Sequence, residues 1–167
     1  DDNTLFLSDV EHSPNSGRVH GNVGAIYLNS ALADSNAVSK RLSFDMAYGE
    51  YSRAFEIDNR DYGSASALGQ VLYHKGDFNA SVMWSQRSIE VRRQLLKEQG
   101  LPLIDDWNTL QNTGDAFVRL DKFDSARFYY SASSTVFPRP EIYEKIGDAN
   151  LRARDTIAAI ASYGDAV

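Results

Sequence analysis

The sequence contains no cysteine. Thiol catalysis, disulfide staples and cysteine-ligated zinc are thereby excluded, while the redox compartment stays open. Basic residues are outnumbered, 17 Lys and Arg against 23 Asp and Glu in 167 residues, and the net charge is -6. Such a balance opposes a phosphate backbone, which is bound through clustered Lys and Arg, so nucleic acid is not an expected partner. No apolar run is long enough to cross a bilayer, and the first residues lack the basic-then-apolar pattern of a signal peptide. What is present is 43% hydrophobic residues, enough for one domain to bury a core without cross-links or metals. The chain opens Asp1-Asp2-Asn3 rather than on methionine, and is expected to be a fragment or processed product of a longer protein.

Four glycines organise the sequence. Gly114 follows Trp107 and Leu110, precedes Phe117, and leads to Ala126, Tyr130, Ser133 and Pro138. Gly147 repeats the spacing with Ile146 before it and Ala159, Tyr163 and Ala166 after it. Gly69 follows Leu68, precedes Leu72, and leads through Gly76-Asp77-Phe78 to Ser81 and Ser88, but its large aromatic slips to Trp84 and Ser85 takes the expected place. Gly24 precedes Tyr27, and its small and aromatic positions recur at Ala47, Tyr51 and Ala54 after eleven extra residues.

Each unit reads as two antiparallel helices whose glycine and small residues mark the closest backbone approach and whose aromatics fill the wedge beside it. Phe123, Ala126, Tyr130 and Ser133 fall at intervals of three and four, as one helical face requires. The pattern resembles the tetratricopeptide-repeat (TPR) family over nearly the whole chain. That resemblance implies an all-α, right-handed superhelical solenoid of antiparallel helix pairs, about four repeats plus an N-terminal capping helix. The expected boundaries are 1–14 for the cap, 17–59, 62–104 and 107–138 for three repeats, and 140–167 for a fourth, truncated one. Phe6 and Val10 would be the cap's apolar residues, and the end at Val167 is expected to need a further covering helix.

The first two units exceed the usual repeat length of about 34 residues. In the first, the excess is placed in a polar linker over 33–40. In the second, it is placed after Ile89, where Glu90 to Lys97 continues a helix up to Gly100-Leu101-Pro102. Insertions of this kind serve a binding face or are simple drift, and the sequence leaves both open.

Catalytic constellations do not assemble. His12, His20 and His74 fall in different units without metal-ligand spacing, so packing or surface roles are expected, with no cofactor and no metal. Asp1-Asp2 and Asp105-Asp106 sit at helix starts, where carboxylates cap. Asn79-Ala80-Ser81 is a formal glycosylation sequon whose serine is needed for packing. Asp124-Ser125-Ala126 and Asp155-Thr156-Ile157 match short O-glycosylation acceptor patterns that arise easily by chance. Asp121, in a turn, is expected to tolerate alanine.

In TPR proteins the first helix of each unit lines the concave face, which implies a protein or peptide ligand there. By offset, the exposed positions of the first unit would be Arg18, Gly21, Ala25, Leu28 and Asn29, and of the second Gly63, Ser66, Gln70, Tyr73 and His74. The third would add Asn108, Gln111, Asp115, Val118 and Arg119, and the fourth Glu141, Glu144, Asp148, Leu151 and Arg152. Of these, Gln70, Tyr73, His74, Asn108, Gln111, Asp115, Arg119, Glu141, Glu144, Asp148 and Arg152 are the candidate binding residues. The bland reading of the same residues is a solvated face. Chaperone adaptors of the family clamp a peptide carboxylate with cations and asparagines. The clamp positions here are Gly21, Ala25, Ala67, Asn108 and Asn112, so the charge is missing and a carboxylate-clamp adaptor is not expected.

A second resemblance rests on Asn3-Thr4-Leu5-Phe6, Asp9-Val10, Ser13-Pro14-Asn15-Ser16 and the Gly24-x-x-Tyr27 that follows. These look like the junction at which multi-spanning glycosyltransferase-like (O-mannosyltransferase-like) membrane proteins give way to a soluble TPR tail. It implies a non-enzymatic module on the extracytoplasmic face, with no membrane insertion by this segment. The alternative is a free-standing cytoplasmic TPR adaptor or peptide-sensing regulator.

Overall fold

A computed structural model of the chain describes residues 12–166. The expected cap over 1–14, with Phe6 and Val10, and the leading Asn3-to-Val10 segment therefore lie outside it for all but the cap's last residues. Among the described residues eight helices form and no strand: α1 (Gly17–Ala33), α2 (Ala37–Ile57), α3 (Tyr62–Lys75), α4 (Phe78–Glu98), α5 (Trp107–Arg119), α6 (Phe123–Val136), α7 (Pro140–Arg152) and α8 (Thr156–Gly164). Among the described residues, no helix is long and apolar enough to cross a membrane. Helices start where short polar side chains can take up free backbone N–H groups. Ser16, Asn36, Asp61, Asp77, Asp106 and Asp155 each cap the helix that follows them.

The helices pack as hairpins, α1 on α2, α3 on α4, α5 on α6 and α7 on α8, and each second helix also packs on the first helix of the next pair. The first helices α1 and α3, and α3 and α5, touch each other directly, forming an inner layer. The architecture is an all-α TPR-type helical solenoid.

Its register is visible atom by atom. A Cβ added at Gly114 would lie 2.5 Å from the Tyr130 ring, and one at Gly147 would lie 2.5 Å from the Tyr163 ring. At Gly24 the Tyr51 ring stands 3.0 Å away, so the eleven added residues do not disturb that contact. A ring can lie this close to the opposite helix only because glycine has no side chain there. At the other end of each crossing, Ser88 Oγ donates to the Tyr62 carbonyl at 2.7 Å and Ser133 Oγ to the Trp107 carbonyl at 2.9 Å, two equivalent bonds from equivalent positions. The small residues Ala47, Ala54, Ala126 and Ala159 are all buried along these seams.

The second pair solves the crossing differently. With Ser85 in place of the ring, a Cβ on Gly69 would run into Ser85 Oγ and would lie 3.1 Å from the Ser81 carbonyl and 3.2 Å from the Ser85 nitrogen. Here helix backbone meets helix backbone, tied by Ser81 Oγ donating to the Gly69 carbonyl at 2.7 Å. The displaced Trp84 packs edge-on against Phe55 of the preceding pair, with ring centroids 5.1 Å apart. One serine thus tightens the crossing within a pair and frees the indole to join two pairs.

Residues 33–40 correct the expectation of a polar linker. Only Asp34, Ser35 and Asn36 separate α1 from α2. Second helices otherwise open nine residues after their glycine, at Phe78, Phe123 and Thr156. The equivalent residue of the first pair is Phe44, so Ala37 to Ser43 are extra helix, and α1 is longer to match. The polarity that suggested a loop is capping chemistry. Asn36 Oδ1 accepts from Val38 and Ser39 N–H groups at 2.9 and 3.2 Å, and Asp34 accepts from the Asn36 N–H at 2.8 Å and from the Ser39 hydroxyl. The continuation after Ile89 is helical through Glu98.

The turns after α3, α5 and α7 share one left-handed residue at an equivalent place, Gly76 (φ 85°), Asp121 (φ 56°) and Arg154 (φ 65°). Asp121 is therefore not a neutral turn position, since alanine would carry a left-handed strain that aspartate bears more easily.

Candidate binding surface

Three first helices converge on one inner cavity of about 140 Å³. Tyr73 comes from α3, Asp115, Val118 and Arg119 from α5, and Lys145, Asp148, Ala149 and Arg152 from α7, with Tyr130 of α6 behind them. The residues reach the same place because each is a first-helix position one step along the stack. Five of the expected binding residues, Tyr73, Asp115, Arg119, Asp148 and Arg152, are brought together here.

Electrostatics divide them by role. Asp115 Oδ1 accepts from the Tyr130 hydroxyl and from Lys145 Nζ, both at 2.6 Å. The same carboxylate therefore locks the aromatic wedge and joins α5 to α7. Burial, reinforced by the Asp115 charge, pushes the Tyr130 hydroxyl far above its ordinary range, so it stays a donor. Asp148 repeats the device one unit on, accepting from the Tyr163 hydroxyl at 2.6 Å, and that bond leads the causes raising the Tyr163 pKa. Asp148 is itself exposed. Arg119 lies over the Phe78 ring at 4.3 Å and, among the described residues, pairs with no carboxylate. Among the described residues Arg152 forms no ion pair.

The other expected residues fall elsewhere. Gln111 accepts from Arg139, whose guanidinium stacks on Trp107 at 3.9 Å, so it is held at the start of α7. Asn108, Glu141 and Glu144 are exposed along the same inner layer, and Gln70 is half-buried. Ser66 is bonded to Thr109 at 2.7 Å. Leu28, expected on the exposed face, is instead buried with Phe44, Ala47 and Tyr51, because the lengthened first pair needs an apolar residue there. His74 stands apart from the cavity, stacked on Phe44 at 5.3 Å with the planes 10° apart. Burial, with help from Lys40, lowers its pKa.

Lys145 and Tyr130 are the groups the offset rule did not single out for this surface. Lys145 occupies a position that points to the previous pair rather than to solvent. A cation six residues after Arg139 carries no local signal of its partner thirty residues away.

The clamp positions Gly21 and Ala67 line a second cavity of about 640 Å³, in which Arg18 and Arg60 stand among Asp58 and Asp61. Arg60 is already paired to Glu98 at 2.5 Å. Among the described residues, no three His, Asp or Glu side chains are grouped so as to hold a metal. His20 is buried between Glu50, 2.7 Å from Nδ1, and the Pro14 carbonyl, 3.0 Å from Nε2. Asp106 caps α5 through the Thr109 N–H at 2.8 Å, while its neighbour Asp105 pairs with Arg93.

No family model matches the sequence. Solved structures do resemble the fold. One crystal structure of MamA superposes with a TM-score of 0.80 at 14% identity, covering 98% of this chain and 84% of that one. A second MamA structure gives 0.79 at 14% identity over 98% and 78%. PilF of Pseudomonas aeruginosa gives 0.72 at 16% identity over 96% of this chain, which spans 64% of the PilF chain. MamA and PilF are TPR proteins, and at these identities the likeness is one of fold.

Proposed function

We propose that the chain is a non-catalytic scaffold that holds a protein or peptide segment in its inner groove, across α3, α5 and α7. The TPR-type fold supports an interaction role. The observation that carries the location is the cavity shared by Tyr73, Arg119, Asp148 and Arg152. Among the described residues Arg119 and Arg152 have no carboxylate partner, and Asp148 is exposed with the Tyr163 hydroxyl as its one hydrogen-bond donor, so two cations and a carboxylate with further accepting capacity can meet a polar, two-signed partner. Asp115 belongs to the scaffold rather than the ligand set, since it already serves Tyr130 and Lys145.

A peptide array probed with the chain, followed by titration of the strongest peptide, tests this. Arg152→Ala and Asp148→Asn should each weaken binding about tenfold, the change expected from losing one charge-assisted contact of roughly 1.4 kcal/mol. Helix content should stay unchanged. Undiminished binding by the double variant would remove the groove as the site. The residues Asn3 to Ser16 support placing this scaffold as the extracytoplasmic C-terminal TPR module of a glycosyltransferase-like membrane protein, in preference to a cytoplasmic adaptor. Reading the gene upstream of Asp1 decides between them. Several hydrophobic spans support the first, and a DNA-binding or effector domain supports the second.

A further inference from the structure

The added turns of α2 build a surface that the inner groove does not use. Lys40, Arg41 and Phe44 from α2 face His74 and Lys75 from the end of α3 across a half-open cleft of about 550 Å³. The flat stack of Phe44 on His74 makes an aromatic wall in it. Lys75 is held by Asp45 at 2.5 Å and lies over the Tyr48 ring at 5.2 Å. Among the described residues the side chains of Lys40 and Arg41 form no hydrogen bond or ion pair. Asp34, the other carboxylate near Lys40, is taken up by the Ser39 hydroxyl and the Asn36 N–H. Among the described residues the cleft therefore holds two cations that make no direct ion pair, with Asp34 and Asp45 nearby, beside an aromatic wall, in a chain whose net charge is -6. Lys40 and Arg41 both fall in the seven residues that lengthen α2 beyond its counterparts, so the enlargement itself creates the site.

Anionic oxygens satisfy the cations, but a bare ion would leave uncovered the exposed His74 ring, which itself lies over the buried Phe44. A chain carrying acidic and apolar side chains together satisfies both. We infer that this cleft binds an acidic peptide segment, its carboxylates meeting Lys40 and Arg41 and a neighbouring apolar side chain covering the exposed face of His74. The site is independent of the inner groove.

A short fluorescein-labelled peptide alternating glutamate and leucine is the probe, followed by fluorescence anisotropy at low salt. It should bind, and the same peptide with lysine for glutamate should not. Lys40→Glu with Arg41→Glu should weaken binding at least about tenfold, and Lys40→Gln with Arg41→Gln should do so more mildly. Both positions face solvent or the cleft, and circular dichroism checks that the helices persist. Arg152→Ala in the groove should leave this binding unchanged, so failure of one site is distinguishable from failure of the other. Equal binding by the charge-reversed variant, or displacement of the peptide by an equal concentration of inorganic phosphate, would overturn the inference.

Discussion

Gly114 and Gly49 are both helical glycines, yet they should answer to alanine with opposite signs. The methyl at Gly114 would lie 2.5 Å from a Tyr130 ring whose hydroxyl is anchored on Asp115, so the ring is not free to swing aside. Overpacking of that kind costs about 1 to 3 kcal/mol. Gly49 has nothing within 4 Å of its would-be Cβ, so alanine there should stabilise α2 by up to about 1 kcal/mol through backbone entropy. Urea unfolding of Gly114→Ala and Gly49→Ala should move the midpoint down and up respectively, and a common direction would contradict the close approach seen at Gly114. The glycine-to-tyrosine offset was readable in the sequence because it is one local spacing repeated. The consequence of Ser85 was not, because how near two backbones come depends on every side chain in the crossing.

At the scale of the element, the turns that end the first helices expose what spacing conceals. Gly76, Asp121 and Arg154 perform the same left-handed step with three different residues. Arginine has no short polar group to ease that conformation, and a non-glycine residue there costs on the order of 1 kcal/mol. Arg154 is exposed, so replacing it loses no burial. Arg154→Gly should therefore raise stability by roughly 0.5 to 1 kcal/mol on that ground, seen as a higher melting temperature, and a lowered one would show that the arginine side chain has a role of its own. The helix ends themselves were only partly legible. Gly76-Asp77 announces a turn, whereas Asp34, Ser35, Asn36 and Ser39 look like a loop of eight residues and are a tight three-residue connection with its caps. Polar composition marks both, and only hydrogen-bond geometry separates them.

In the whole molecule the core is not one body. One cluster joins Leu28, Phe44 and Tyr51 of the first pair to Leu68 and Val71 of α3. Another runs from Val82 of α4 through Phe117 and Tyr130 to Ile142 and Ile146 of α7. The second pair belongs to both, with Leu68 and Val71 of α3 buried in the first cluster and Val82 of α4 in the second. The inner groove shares this dependence on stacking. Asp115, Asp148 and Arg152 could be placed on one inner face by counting, but the bond from Lys145 to Asp115 exists only because α7 lies on the α5–α6 pair. Stability in such a stack is close to a sum of units and nearest-neighbour contacts, so damage should stay local. Ile142 is fully buried in the forward cluster. Ile142→Ala should cost about 2 to 5 kcal/mol. Amide hydrogen exchange should show that loss in α5 to α8, with α1 and α2 keeping most of their protection. Uniform loss along the chain would instead mean that the second pair couples the two clusters into a single cooperative unit.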